Sequence, residues 1–283
     1  MNKIKEHVMK YVFLFCASVS IIAVLLICYF IFASGIPGIA EIGLKDFLLG
    51  KEWRPSNDLY GIFPMIVGSI YVTAGAIIIG VPIGLLTAVF LAKFCPKKIY
   101  KFIKPAIDLL AGIPSVVYGF FGLVVIVPFV RDAFGGFGDS LLAASIILGI
   151  MILPTIISVT ESSIKAVPES FFEGSLALGA TTERSIFKVM FPAASSGIMS
   201  GIILGIGRAI GETMAVKMVA GNQAWIPKNI TDGVRTLTSN IVIEMGYAQG
   251  LHRTALISTA VVLFVFILII NICFNIVKQK SRG

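Results

Sequence analysis

Residues 196–220 read SGIMSGIILGIGRAIGETMAVKMVA, an apolar stretch long enough to cross a bilayer. Two ionisable residues, Arg208 and Glu212, lie close to its middle. A charge at the centre of a spanning helix costs about 2.5–3.5 kcal/mol on insertion scales, so such a residue usually faces a bundle interior or a solute path. Residues four apart share one helix face, and the two side chains are therefore predicted to pair.

Other apolar runs show that this stretch belongs to a membrane protein. With 57% hydrophobic and 13% charged residues among 283, the chain is too apolar for a soluble domain of its length. Five further runs have the length of a transmembrane helix: 11–34, 63–92, 105–130, 141–160 and 251–277. The sequence therefore predicts an all-α integral membrane protein with six transmembrane helices.

The distribution of basic residues sets the orientation. If the N-terminus is cytoplasmic, the inside segments hold fourteen lysines and arginines and the outside segments hold seven. This bias predicts that both termini are cytoplasmic. The net charge of +8 then reflects topology and contact with membrane lipid, and it gives no reason to invoke nucleic acid.

We divide the chain into three parts. Residues 1–62 hold a cytoplasmic tail, the first transmembrane helix and an external segment at 35–62. Residues 63–277 form a transmembrane core, to which the first helix need not be attached. Residues 278–283 form a second cytoplasmic tail, and a further external segment covers about 221–250.

The inside segment at 161–195 contains the start and stop signals of two short helices. Pro168 and Glu169 suit a first helical turn, and Ser170 with Glu173 has the spacing of a capping box. Gly179 suits the end of that helix, because glycine adopts the left-handed conformation of a C-terminal cap. The first helix is also predicted to present an apolar stripe, formed by Phe171, Phe172 and Leu176.

The second short helix follows this glycine directly. Thr181 or Thr182 can cap its start, and Pro192 leads from it into the stretch that bears Arg208. The sequence thus predicts a tight elbow on the cytoplasmic face.

The elbow resembles the E-A-A-x3-G-x9-I-x-L-P loop of ABC importer permeases, with the spacing intact. Glycine and serine replace the two alanines, and Val189 and Phe191 replace isoleucine and leucine. In that family the loop is the coupling helix, which seats in a groove of a cytoplasmic ATPase. The resemblance assigns ATPase coupling to Glu173, Gly174, Ser175, Gly179 and Pro192.

Two further stretches narrow the resemblance. Residues 109–122 (LLAGIPSVVYGFFG) and 207–216 (GRAIGETMAV) are similar to segments of the PstC-type permease of phosphate-specific importers. The resemblance implies a type I (MetI-like) importer architecture in a bacterial or archaeal plasma membrane. It also implies four partner subunits: a homologous PstA-like permease, two copies of a PstB-like ATPase and an external PstS-like phosphate-binding protein. Sulfate and molybdate permeases carry a similar arginine–glycine–glutamate segment, so a related oxyanion remains the alternative cargo.

Arg208 and Glu212 are the candidate residues of the substrate pathway. An anion that crosses hydrocarbon needs a positive partner, and the planar guanidinium of Arg208 suits a tetrahedral oxyanion. Glu212 is expected to neutralise Arg208 at rest and to compete with the anion for it. Alternatively, the two residues are a buried pair that only fixes helix packing. Gly205, Gly207 and Gly211 are predicted to form a small-residue packing face on the same helix.

The sequence contains no motif for ATP binding, metal binding or catalysis. No G-x-x-x-x-G-K-[ST] motif is present, so ATP is expected to be used by the partner ATPase and no cofactor is expected on this chain. The only histidines, His7 and His252, fit no metal or nucleophile motif, and the four cysteines are predicted to be unpaired. These features favour a transporter subunit over two alternatives. The coupling-type loop argues against a self-sufficient carrier, and the lack of a catalytic group of residues argues against an intramembrane enzyme.

Overall fold

The computed structural model describes the backbone of residues 2–280 and the side chains of residues 5–274 and 276. The last residues of the predicted C-terminal tail, 281–283, lie outside the described residues. The described chain is helical except for loops and one short antiparallel ladder, in which Trp53 pairs with Tyr60 and Arg54 with Leu59.

The elements follow one another with few long loops. Those of the first half are α1 (Asn2–Ile42), α2 (Leu44–Leu49), β1 (Trp53–Arg54), β2 (Leu59–Tyr60), α3 (Phe63–Val89), α4 (Lys97–Gly112), α5 (Ser115–Phe121) and α6 (Val127–Phe134). Those of the second half are α7 (Leu141–Lys165), α8 (Glu169–Ala177), α9 (Thr182–Ser185), α10 (Phe191–Ala193), α11 (Ser195–Gly211), α12 (Met214–Val219), α13 (Leu237–Glu244) and α14 (Gly250–Lys280). Single π-helical segments extend α3 and join α5 to α6 and α9 to α10, at Phe90–Phe94, Gly122–Ile126 and Ile186–Met190.

The predicted membrane architecture is confirmed. Within the described residues, five helical segments are long and apolar enough to cross a membrane, and a bent pair of helices supplies a sixth span. The five are Lys5–Ile42, Phe63–Phe94, Ser115–Phe134, Leu141–Lys165 and Gly250–Phe274, and the bent pair is Thr182–Ala193 with Ser195–Gly211.

The third span differs from the prediction of 105–130, because the helix breaks at Ile113 and Pro114. Ile113 is extended (φ −68°, ψ 128°), and α5 begins only after Pro114. Proline restricts the residue before it to extended conformations, so one continuous helix through this point is disfavoured. The first part of the predicted span therefore belongs to a separate helix, α4.

The core is built around α7, the most buried of the spans, which packs between α3 and α11. On α11, Gly197, Gly201 and Gly205 approach Ser163, Val159 and Ile156 of α7, respectively. A spacing of four residues keeps these glycines on one helix face. The predicted packing face was therefore right for Gly205 and wrong for Gly207 and Gly211, around which a β-carbon would meet no atom within 4 Å.

A pair of glycine substitutions tests this packing. A β-carbon on Gly197 would lie 2.5 Å from Ser163 Cβ, so we expect Gly197→Ala to destabilise the subunit by about 1–3 kcal/mol through overpacking. Gly207→Ala on the same helix meets open space, and it should be neutral or stabilise by up to about 1 kcal/mol. Thermal unfolding of the purified subunit measures both, and equal shifts in Tm would contradict the assignment of the packed face.

The first helix is attached to the core at its outer end. Gly35 of α1 lies against Val261 and Ile257 of α14, and the Ser258 hydroxyl donates a hydrogen bond to the Gly35 carbonyl at 2.7 Å. The sequence left the attachment of this helix open, and the structure attaches its outer third to α14. Close glycine contacts of this kind let two helix backbones approach, which stabilises a membrane helix pair by van der Waals packing.

Candidate functional site

The predicted glycine elbow between α8 and α9 is present. Gly179 has φ +84°, in the left-handed region that a side chain with a β-carbon rarely adopts. The Gly179 N–H donates to the Leu176 carbonyl at 2.9 Å, and the Ala180 N–H donates to the Ser175 carbonyl at 3.2 Å. These two bonds form a Schellman motif, which satisfies the free carbonyl groups at the end of α8.

The starts of the two short helices were predicted less well. Thr181 caps α9 as expected, because its hydroxyl accepts a hydrogen bond from the Arg184 N–H at 3.3 Å. The capping box of Ser170 and Glu173 is wrong: α8 begins at Glu169, directly after Pro168, and has no side-chain cap. Ser170 already lies inside the first turn, so its hydroxyl is not at the position that a capping box requires.

Side-chain contacts hold α8 against the membrane core. Lys93 Nζ, at the inner end of the second span, lies 2.8 Å from Glu169 Oε2 and 5.1 Å from the centre of the Phe172 ring. The Ser185 hydroxyl of α9 donates to the Ser175 hydroxyl at 3.0 Å, which ties the two arms of the elbow together. The elbow is therefore an ordered structure that can transmit a displacement.

The outer surface of the elbow exposes apolar side chains. Phe171 is 51% exposed and Leu178 is 91% exposed, whereas Phe172 packs inward. The predicted apolar stripe is thus divided, with only Phe171 and Leu176 on the outer surface. Around Gly174 a β-carbon would meet no atom within 4 Å, so this surface is also open to close approach by another chain.

The connection from the elbow to the next span is bent. The axes of Thr182–Ala193 and Ser195–Gly211 differ by 72°, and Ala194 lies at the break with φ −86° and ψ 0°. Pro192 precedes this break and leads into α11 only through it. Movement of the elbow therefore reaches α11 through a hinge.

The predicted ion pair between Arg208 and Glu212 is wrong. Helix α11 ends at Gly211, and Glu212 is extended with φ −71° and ψ 130°. Glu212 Oε1 instead accepts a hydrogen bond from the Ala215 N–H at 3.1 Å, while its backbone carbonyl accepts one from the Thr238 hydroxyl at 3.1 Å. Because the backbone leaves the helix before residue 212, the pair loses the geometry of residues four apart.

Arg208 lies on a face of α11 that the chain leaves uncovered. Among the residues that the structure describes, no hydrogen bond or ion pair to its guanidinium is found, and the Tyr118 hydroxyl lies close enough for a Coulombic interaction. Gly207 and Gly211 border the same face, and Leu204 on it is exposed. The guanidinium is therefore free to bind an anion that arrives along this face.

The two stretches that resemble importer segments meet in space. A β-carbon on Gly119 of α5 would lie 3.0 Å from Ala215 Cα, and one on Gly122 would lie 2.7 Å from Val219 Cγ1. Helices α5 and α12 thus pack through glycines, and each begins just after a break in the helical chain, at Ile113–Pro114 and at Glu212–Thr213. Arg208 lies one helical turn before the second break.

A charged network on the cytoplasmic side was not predicted. The buried Glu161 carboxylate, at the inner end of α7, accepts hydrogen bonds from the Tyr100 hydroxyl and from Lys165 Nζ, both at 2.7 Å. Lys104 Nζ lies 3.0 Å from Asp108 and 3.4 Å from Glu161, so Asp108 also belongs to this network. Burial lowers the pKa of Lys104, but the hydrogen bond to Asp108 and the attraction of Glu161 outweigh burial and raise it.

A second unpredicted network joins the two external segments. The buried Glu244 carboxylate accepts from Trp53 Nε1 at 2.8 Å and from Arg235 at 2.7 Å, and it lies 2.8 Å from His252 Nε2. Trp53 belongs to the segment at 35–62 and Glu244 to that at 221–250, which the sequence placed on the same side of the membrane. The external surface is therefore one folded unit.

Among the described residues no group of three or more histidine, cysteine, aspartate or glutamate side chains is placed to hold a metal ion. The four cysteines are free, as predicted.

Comparison with known proteins shows the family of this chain. A family described as "Binding-protein-dependent transport system inner membrane component" matches residues 80–283. A probable ABC transporter permease protein, YqgH of Bacillus subtilis, is 41% identical over 90% of this chain and 86% of its own length. The phosphate transport system permease protein PstC of Mesorhizobium japonicum is 34% identical over 85% of this chain and 80% of its own length.

The fold is similar to that of a solved importer. An inward-facing structure of the MetNI methionine ABC transporter matches with a TM-score of 0.61 and 21% identity, over 81% of this chain and 99% of the matched chain. At this identity the similarity concerns the fold alone.

Proposed function

Because the chain belongs to the family of binding-protein-dependent transport system inner membrane components, we propose that it is the permease subunit of an ATP-driven phosphate importer. The observation that carries the proposal is its 34% identity to a phosphate permease over 85% of the chain. The same relatives favour phosphate over sulfate or molybdate as the cargo. The chain is a transporter subunit without an ATPase site of its own, so a partner supplies the ATP-dependent step.

The assembly follows from this family. The chain is a multi-pass membrane protein that works with an ATPase and a substrate-binding protein. In the finer proposal, it pairs with a PstA-like permease, binds two PstB-like ATPases and receives phosphate from a PstS-like protein, in a bacterial or archaeal plasma membrane. The exposed elbow around Phe171 and Leu178 supports the ATPase contact, and the external unit around Glu244 offers a surface for the binding protein.

We further propose that Arg208 binds phosphate during its passage. Its guanidinium has no competing ion pair within the described chain, and it can donate two parallel hydrogen bonds to a tetrahedral oxyanion. In this proposal Glu212 acts by a different route from the one expected of an ion pair. Its side chain accepts a hydrogen bond from the Ala215 N–H, which stabilises the start of α12 directly after the break at Gly211.

An uptake competition tests the cargo. We expect the assembled importer to take up radioactive phosphate with ATP, and excess unlabelled phosphate to suppress this uptake far more strongly than equal sulfate or molybdate. The matched control is the chain alone in liposomes, which should transport none of the three anions. Competition by sulfate or molybdate equal to that by phosphate would exclude the phosphate assignment, and uptake by the chain alone would exclude the ATP-driven mechanism.

A further inference from the structure

Helix α4 presents three stripes: one packs into the core, one is charged, and one is apolar and exposed. The packed face carries Tyr100, Ile103 and Ile107, which contact the core around α3 and α7. A second stripe is charged and consists of Lys97, Lys101, Lys104 and Asp108. A third stripe is apolar and consists of Ile99, Phe102, Ala106 and Leu109. Each stripe recurs at intervals of three and four residues, which places its members on one side of a helix.

The packed face fixes the orientation of the other two. The Tyr100 hydroxyl donates to Glu161 at 2.7 Å and Lys104 Nζ donates to the Ser158 hydroxyl at 2.9 Å, so α4 is bound to α7 through buried or partly buried groups. Its two ends join the spans Phe63–Phe94 and Ser115–Phe134. The helix is therefore held beside the bilayer at the cytoplasmic ends of these spans.

The apolar stripe is exposed despite this attachment. Phe102 is 80% exposed and Leu109 is 73% exposed, although both are large and apolar. Three lysines adjoin them, and all are exposed: Lys97, Lys98 and Lys101. No acidic side chain in the described part of the chain lies within ion-pair distance of these three. A helix with an exposed apolar stripe beside unpaired lysines has the composition of a helix that lies in a membrane interface.

We propose that α4 lies in the cytoplasmic interface of the bilayer and binds the headgroups of anionic phospholipids. Phe102 and Leu109 enter the region between headgroups and acyl chains, and the three lysines contact the lipid phosphates above them. Charge complementarity identifies the occupant. The apolar chain of a phospholipid fits the exposed apolar stripe of α4, and its negative headgroup fits the lysines beside that stripe. The site is independent of the cargo, since Phe102 and Leu109 lie on a face of α4 that is exposed and does not contact the core.

Tryptophan quenching in the assembled importer measures the depth of this helix. We expect the indole introduced by Phe102→Trp to be quenched by lipids with brominated acyl chains, beyond the quenching of the two native tryptophans, Trp53 and Trp225. The matched control is Leu178→Trp, at a position that is 91% exposed on the same side of the membrane but belongs to the elbow. It should show no added quenching. Absence of added quenching with Phe102→Trp would mean that a protein surface or water covers the stripe, and it would overturn the proposal.

Headgroup preference is tested in the same vesicles. Brominated phosphatidylglycerol should quench the Phe102→Trp indole at a lower mole fraction than brominated phosphatidylcholine, by about 100-fold if each of the three lysines contributes about fivefold. The triple change Lys97→Gln, Lys98→Gln and Lys101→Gln should abolish this preference. The control triple Lys45→Gln, Lys51→Gln and Arg54→Gln, at exposed sites in the external segment, should keep it.

A further measurement distinguishes binding of lipid phosphate from binding of free inorganic phosphate. Inorganic phosphate added to phosphatidylcholine vesicles should leave the quenching curve unchanged, because it supplies a negative charge without an acyl chain. Equal quenching by the two lipids, or a preference that survives the α4 triple change, would exclude the headgroup contact. Suppression of the lipid preference by millimolar inorganic phosphate would show that the lysines bind free phosphate, and would also overturn the proposal.

Discussion

Replacing Arg208 with glutamine is expected to reduce phosphate uptake by the assembled importer by at least about 100-fold. Glutamine keeps a hydrogen-bond donor of similar shape but removes the charge and the planar fork. Two hydrogen bonds from a charged donor contribute about 1.5–3 kcal/mol each, and the loss of both accounts for a factor of this size. Initial rates of radioactive phosphate uptake into ATP-loaded proteoliposomes measure the effect.

The surroundings of Arg208 make this substitution a clean test of the pathway against the packing alternative. Its guanidinium makes no hydrogen bond or ion pair within the described chain, so its removal leaves no buried charge unpaired. We therefore expect Arg208→Gln to assemble normally, with a change in stability within about 0.5 kcal/mol. Arg208→Lys should give intermediate uptake, because it retains the charge and loses only the fork.

Two outcomes would contradict this role for Arg208. A variant that fails to assemble would show that the residue fixes packing, and a variant that assembles and transports normally would place the path elsewhere. Arg253→Gln is the matched control, since Arg253 is also an arginine but is exposed at the start of α14. It should retain wild-type uptake.

The sequence predicted the spans well where apolar length alone decides them. Phe63–Phe94 and Leu141–Lys165 lie close to the predicted 63–92 and 141–160, because a helix in hydrocarbon must continue until its apolar side chains end. The breaks were predicted poorly. Pro114 marks one break by its own chemistry, but Glu212 and Thr213 carry no such signal, and tertiary contacts from Thr238 stabilise that break.

The Arg208–Glu212 pair shows why the candidate site was harder to predict than the fold. Periodicity places two residues on one face only while the helix continues. The spacing of residues 208 and 212 carries no sign that the helix ends at Gly211. The networks around Glu161 and Glu244 were missed for a related reason. Trp53 and Glu244 are 191 residues apart, so neither gives a local signal of the other. In each network the only signal was an acidic residue at the end of an apolar or external segment.

In the proposed mechanism, the elbow and Arg208 belong to one mechanical path. A displacement of α8 would pass through the Ser175–Ser185 hydrogen bond to α9, and then through the 72° bend at Ala194 to α11, which carries Arg208 near its outer end. Close packing of Gly197 and Gly201 against α7 limits α11 to sliding or tilting along that helix. The elbow and Arg208 would therefore move together, provided that the elbow keeps its shape.

Replacing Gly179 with valine should distort the elbow and uncouple ATP hydrolysis from uptake. At φ +84° a β-branched side chain is strained by about 1–3 kcal/mol, and the Schellman bonds of Gly179 and Ala180 would be lost as the turn relaxes. We expect at least about a tenfold fall in phosphate imported per ATP hydrolysed, with normal insertion, because a β-carbon on Gly179 would meet no atom within 4 Å. Paired assays of ATPase activity and uptake give this ratio.

Gly179→Asn separates backbone conformation from the mere presence of a side chain. Asparagine tolerates the left-handed region far better than valine, so this variant should keep most of the coupling although its side chain is similar in size. An equal loss in both variants would show that the ATPase requires a bare surface at residue 179. Normal coupling with valine would show that the left-handed turn does not transmit the displacement. Only a coupling ratio that falls in the order glycine, asparagine, valine at residue 179 assigns the coupling to the backbone conformation of the elbow.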